Sequence, residues 1–424
     1  MGFAASLSGL TGASTAIDII GNNISNLQTV GFKTSKARFA DVLAASLPGG
    51  PPADMASAGV SVTVIRQNEQ GTFAQSDNPL DMAITGLGFF RLNKAGEITY
   101  SRDGRFQLSY EASSPNTRFL VNQTGRNVTG YLATHTSDPQ GVIVTTGAPQ
   151  DITIDPLMPA AATRRVSLNL GLDSRSAPPP APLFDPANAL SYNSSTGLTV
   201  YDATGASHDL RIYFAKPGAG NVWELHTSLD NGSPTGPVNI DFGTDGLLAT
   251  TMPLPAQTYA LASGGNLSVA LDFSGTVQYG LPFHVESVTQ DGWRTGTIDS
   301  SNGFSVGNDG VIHAFYTNGQ SRKVAQIVLA NFVNPDAMIG IGDSQWKANA
   351  DPVSGSGKEI LDVPGGGPGA KGLGSIQGST NEQSNVDLNT ELVALIEQQR
   401  NYQASAQTFK ILDQVMQNLV NLGK

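Results

Sequence analysis

Residues 384–422 read SNVDLNTELVALIEQQRNYQASAQTFKILDQVMQNLVNL. Neither Gly nor Pro occurs from Thr380 to Leu422, and most residues between are good helix formers. Leu388, Leu392, Leu395, Tyr402, Phe409, Leu412, Met416 and Leu419 recur at steps of three, four or seven, the spacing of one helical face. Ser384 followed three residues later by Asp387 reads as a capping box opening the helix. A helix over 385–422 is about 57 Å long at about 1.5 Å per residue. No neighbouring stretch of sequence offers a second helix to take its apolar face, so the cover must come from elsewhere.

The other chain end is the natural candidate. The first 30 residues carry one charged side chain, Asp18. Phe3, Leu10, Ile17 and Ile24 repeat every seven residues, and Leu7, Ile20 and Leu27 fill a flanking row, the pattern of a coiled-coil seam. Gly9, Gly12 and Gly21 weaken this helix in isolation, so it must lean on packing. The plain alternative is an ordinary N-terminal core helix. Two uncovered helices at opposite ends favour a pair whose remaining faces meet other subunits. Neither helix has enough local support to stand alone, so both are expected to order on assembly.

Between them the chain reads as strands. EITYSRDGRFQLSY (97–110) is expected to be a hairpin turning at Asp103-Gly104, with Ile98 and Tyr100 facing Phe106, Leu108 and Tyr110. VIHAFYTNGQSRKVAQIVLANF (311–332) repeats the device at Asn318-Gly319. HDLRIYFAKPGAGNVWELHTSL (208–229) gives two strands joined over Lys216 to Asn221. Breaks in composition fall at 47–55, 175–187 and 364–374.

Composition narrows the function. The net charge of −11 argues against nucleic acid, and the absence of cysteine removes disulfides, thiolate metal sites and cysteine nucleophiles. No run approaches the roughly 18 apolar residues of a membrane span, and the N-terminus lacks the basic start of a cleaved secretory signal. The histidines at 135, 208, 226, 284 and 313 form no metal-binding spacing, and His208 and Asp209, adjacent in a strand, point to opposite faces. SGSGKE (354–359) and GLGFF (86–90) fail as nucleotide motifs, the first lacking the leading Gly and the Ser/Thr, the second its third Gly. No catalytic residue, cofactor or metal ligand is expected.

The chain resembles the bacterial flagellar axial proteins, the rod and hook group. The resemblance rests on NNISNLQTVGFKTSKARFAD (22–41), LDMAITGLGFFRL (80–92), YSRDGRF (100–106), GVIHAFYTNGQ with AQIVLANFVNPDAM (310–338), and the C-terminal stretch above. One departure is GIGDSQW (340–346), where the family often has Asn near Asp343. The large central insertion, including LTVYDATGASHDLRIYF (198–214), resembles the hook type. The rod type, a stiff straight tube, lacks the insertion, and a β-rich secreted adhesin or hydrolase would leave both terminal helices unexplained.

The resemblance implies an α+β chain whose long terminal helices pair as a coiled coil with nested, mainly β domains between them. It implies an inner helical domain (1–30 with 385–424), a connector (31–72 with 371–384), a middle β domain (73–152 with 300–370) and an outer β domain (153–299). It further implies a self-assembling tubular polymer that passes torque as a flexible universal joint. Its partners would be further copies, rod and hook–filament junction proteins, a hook cap protein and the flagellar export apparatus, with no nucleic acid and no membrane insertion. It would act outside the cell, exported without a cleaved signal peptide.

Overall fold

A computed structural model describes residues 2–43, 57–111, 114–135, 140–181, 183–299, 303–351, 355–364 and 373–422. The chain forms two compact units. The first comprises residues 1–155, 300–314 and 321–424, the second 156–299 with 315–320.

The first unit holds two long helices, α1 (Gly2–Ser25) and α2 (Leu388–Leu422), in contact with each other. With a mainly β remainder, the chain is α+β. Helix α2 starts later than the sequence suggests, because Asp387 rather than Ser384 caps it. The Asp387 carboxylate accepts from Thr390 N at 2.7 Å, and its pKa is lowered by that bond, whereas Ser384 Oγ accepts from Val386 N. Helix α1 ends before Asn26, whose backbone N–H bonds back to the last turn, so Leu27 sits in the following turn.

The stretch expected as a connector is partly ordered into a ribbon. Strands β1 (Ser35–Leu43) and β2 (Ser57–Arg66) pair antiparallel from Ser35↔Arg66 onward, with a bulge near Asp41, and both contact α1. Gly12 makes that contact possible, since a Cβ there would lie 3.2 Å from both Phe39 and Val62 side chains. The composition breaks at 47–55 and 364–374 fall almost wholly outside the described residues.

A large sheet forms the body of this unit, and its aromatic centre joins Phe89, Tyr100, Phe332 and Trp346 through edge-to-face contacts. Early and late segments of the chain are stitched together. Phe73–Gln75 pairs with Thr380–Glu382, and Met82–Thr85 with Ser375–Gly378.

The hairpin expected at Asp103-Gly104 does not form. Glu97–Ser101 pairs with Phe89–Lys94, turning at Ala95-Gly96, where both residues have positive φ, and Gln107–Glu111 pairs with Ser114–Val121. Gly104 serves close approach instead: a Cβ there would collide with the Met82 carbonyl oxygen. The Asn318-Gly319 turn does form, as a three-residue loop with Gly319 at φ +79.

In the second unit, Ser194–Tyr201, Ser207–Ala215, Val222–Leu229 and Thr235–Asp241 form an antiparallel four-stranded sheet in chain order. A second sheet centres on Arg165–Asp173, parallel to Asn266–Asp272 and Val277–Tyr279 and antiparallel to His284–Gln290. Their apolar faces share one core built around Phe214, Trp223 and Phe273. The Pro-rich stretch 175–187 runs within this unit, where Phe184 stacks on His226 at 3.9 Å and meets Tyr213 edge-on.

Candidate subunit-contact surface

The surface that could receive another subunit is the helix pair, and its geometry starts at its foot. Glu382, immediately before the descent into α2, is fully buried and gathers donors from across the sequence. Lys33 Nζ donates to Glu382 Oε1 at 2.6 Å, Gly71 N to the same oxygen at 2.9 Å, and Arg102 Nη1 to Oε2 at 3.3 Å. Lys33 Nζ also donates to Glu69 O, and Arg102 Nη2 to Gly86 O. Burial pulls the pKa of both cations below its ordinary value, and the Glu382 carboxylate opposes that pull. Buried charges of this kind need such partners to offset their lost hydration, and here all but the Arg102 Nε find one.

A second knot lies one turn into α2. Asn23 Nδ2 donates to Glu391 Oε1 at 3.2 Å and to Ser35 O, while Thr34 Oγ1 also reaches Glu391. Asn385 Oδ1 accepts from Thr34 N at 2.7 Å, and its Nδ2 reaches Gln67 O and Glu69 O. The foot of α2 is thereby tied to the end of α1 and to the start of β1.

Farther along, the packing is sparse. Gly9 approaches Ser405, whose Oγ would lie 3.4 Å from an added Cβ. A gap of about 160 Å³ remains where Ala16, Ile20 and Phe39 face Ala394 and Gln398. Of the apolar residues singled out in α1, Ile20 is buried, Leu10, Ile17 and Ile24 are half-buried, as is Leu27 beyond the helix end, and Leu7 is exposed. In α2, Leu395, Phe409 and Leu412 are half-buried, while Leu388, Leu392, Tyr402 and Met416 are exposed. The side chains of Phe3 and Leu419 lie outside the described residues.

Four further exposed residues escaped the sequence reading: Val393 at 67%, Ile396 at 52%, Ile411 at 59% and Val415 at 48%. Ile411 and Val415, and Leu392 and Ile396, are spaced i, i+4, so a second apolar row was present in the sequence. Its two pairs are separated along the helix and make no continuous period like that of the leucine and aromatic stripe. An apolar strip left open along a helix is a surface for association, not for chemistry.

Comparison with known proteins gives this surface a context. Three family models match the chain: the flagella basal body rod protein model over residues 3–33, the FlaE D2 domain model of flagellar basal body proteins over 169–293, and the FlgEFG C-terminal model of flagellar basal body rod proteins over 376–422. The flagellar hook protein FlgE of Escherichia coli K12 is 36% identical over 432 residues, covering 100% of each chain. That of Salmonella typhimurium LT2 is also 36% identical with full coverage, and that of Borreliella burgdorferi is 28% identical over 98% of each. The crystal structure of Helicobacter pylori flagellar hook protein FlgE2 superposes with a TM-score of 0.50 at 14% identity, covering 72% of this chain and 99% of that one.

Proposed function

The chain belongs to the flagellar hook protein family, and from that premise we propose how its open helix pair is used. The protein is a structural component of the bacterial flagellar hook, not an enzyme. The two terminal helices continue their pairing as a coiled coil, and the apolar residues left open along α2 are covered by the same helices of neighbouring copies. The apolar stripe from Leu388 to Leu419, with Phe3 to Leu27 on the other helix, serves as the combined pairing and subunit-contact surface. Contacts repeated without closure give an open helical polymer.

Within that polymer the helical domain (1–30 with 385–424) lies innermost, followed by the connector, the middle β domain (73–152 with 300–370) and the outer domain (153–299). The inner helices transmit twist while the outer domains exchange weak contacts, giving a flexible universal joint. The rod, the hook–filament junction, a hook cap and the export apparatus are its further partners. It works outside the cell after export without a cleaved signal, a route that suits a cysteine-free chain whose ends order late.

The observation that carries this reading is the exposed apolar row of α2 in a chain whose relatives are hook proteins over their full length. Electron microscopy of the purified protein tests it. Curved tubes are expected; straight tubes would assign the chain to the rod type, and protein that stays monomeric at high concentration would sink the polymer reading.

A further inference from the structure

We propose that a polar cleft at the foot of α1 receives a carboxylate of a neighbouring copy of this chain, with Arg66 as its counter-ion. The inference rests on the polymer reading above and adds a contact away from the helix shafts. The cleft has a volume of about 530 Å³, and its walls come from the end of α1, the end of β2, and the turn between Ile339–Gly342 and Gln345–Lys347.

Arg66 stands apart from the other cations of this region. Lys33 and Arg102 are matched by Glu382, and Arg105 forms a two-pronged pair with Asp103. Among the described residues no carboxylate lies within ion-pairing distance of Arg66, and its Nη1 is buried without an acceptor. Burial pulls its pKa down, and the more distant Asp336 opposes that only through space. Its guanidinium carbon lies 4.9 Å from the centre of the Trp346 ring, a cation–π contact at the cleft wall. A guanidinium held beside an aromatic ring, with a donor that lacks an acceptor, is the side chain suited to a carboxylate.

At the rim Asp343 and Ser344, with φ of 51 and 53, make the two-residue hairpin turn between Ile339–Gly342 and Gln345–Lys347. This turn lines the cleft mouth. The lining also includes Asn22, Asn26, Asn122 and Gln123, whose side chains carry amides of the kind that can bond a peptide backbone. With 35 acidic and 24 basic residues, each copy has carboxylates to spare. A lone guanidinium lined by amides fits a side-chain carboxylate on a polypeptide better than a phosphate, which gathers several cations or backbone N–H groups.

Two measurements test this. The critical concentration for polymerisation should rise about tenfold or more in Arg66→Gln, the scale of losing one buried interfacial charge pair, while the monomer's thermal unfolding is unchanged. In Arg66→Lys, carbodiimide treatment of polymers grown from mixed heavy- and light-isotope monomers should join the introduced amine to an Asp or Glu of a different copy. An Arg66→Gln protein with wild-type critical concentration overturns the docking contact, as does cross-linking that is absent or confined to one copy, for example to Asp336. Failure of the wild-type protein to polymerise overturns the reading on which the contact rests, and the contact with it.

Discussion

In the second unit Phe214, Trp223 and Phe273 are sealed within a core fed by two sheets, whereas along α2 Val393, Ile396 and Ile411 stay open to solvent. Both regions are rich in apolar side chains, and they differ in where the partner surface comes from. Each sheet of the second unit finds the other within 150 residues of the same chain, so its burial is complete in a single copy. Among the described residues, helix α2 packs against α1 and borders a gap shared with Phe39 of β1, and much of its remaining surface stays exposed. The first region is a finished body; the second is half of an interface.

The sharpest way to break that contrast is to open the closed region. Trp223→Ala should destabilise the second unit by about 3–5 kcal/mol, since it removes a fully buried indole and leaves Gln278 Oε1, 3.0 Å from its Nε1, without that donor. Urea unfolding followed by Trp fluorescence and far-ultraviolet dichroism would measure it. A loss below about 1 kcal/mol would mean the core is less continuous than its burial implies.

A smaller effect comes from pH. His208, in the strand Ser207–Ala215, meets Asp230 at 2.6 Å and Asp202 at 3.5 Å. Burial lowers its pKa, but the bonds to the two carboxylates outweigh that and leave it raised above 6.5. Asp202 is held at about 2, first by the Thr204 hydroxyl, and Asp230 is also lowered. The histidine's contribution is therefore complete below pH 6.5 and is lost as pH rises through its raised folded value. That of Asp202 is present above 3.8 and is lost as pH falls towards 2. Thermal unfolding of the second unit should fall across the neutral-to-alkaline range, and His208→Gln should flatten that limb. An unchanged slope in the variant would remove His208 from the account.

The smallest stability effect, and the most telling, belongs to the open region. Ile396→Asp should change monomer stability by less than about 0.5 kcal/mol, because its side chain already meets water. Polymer should nevertheless fail to form, since the same carboxylate would be buried unpaired in an assembled interface. Loss of monomer stability would show that α2 is already covered in one copy, erasing the difference between the two regions.

How much of this was legible in the sequence depends on the range of the interaction involved. The helical period of 384–422, the strands of 208–229 and the Asn318-Gly319 turn are local: their signals sit within a few residues, and the fold follows them. The second apolar row of α2 was equally local, but its two separated i, i+4 pairs lack the continuous period of the leucine stripe beside it. Asp103-Gly104 shows where local reading stops. Its dipeptide fits a hairpin turn, yet the structure needs Gly104 for contact with the Met82 carbonyl oxygen, and the preceding strand turns at Ala95-Gly96 instead.

The foot of the helix pair was invisible for the same reason in stronger form. Lys33 and Glu382 are 349 residues apart, and Arg102 and Glu382 are 280 apart. No periodicity or spacing connects such residues. By itself the sequence determined which segments are helix and which are strand, because backbone propensity and side-chain period act between near neighbours. Only the tertiary structure decided that Glu382 would be paired with Lys33 and Arg102, that Asn23 would hold Glu391, and that no carboxylate among the described residues would come within ion-pairing distance of Arg66. Those choices depend on which distant surfaces exclude water together, and that is set by the packed fold.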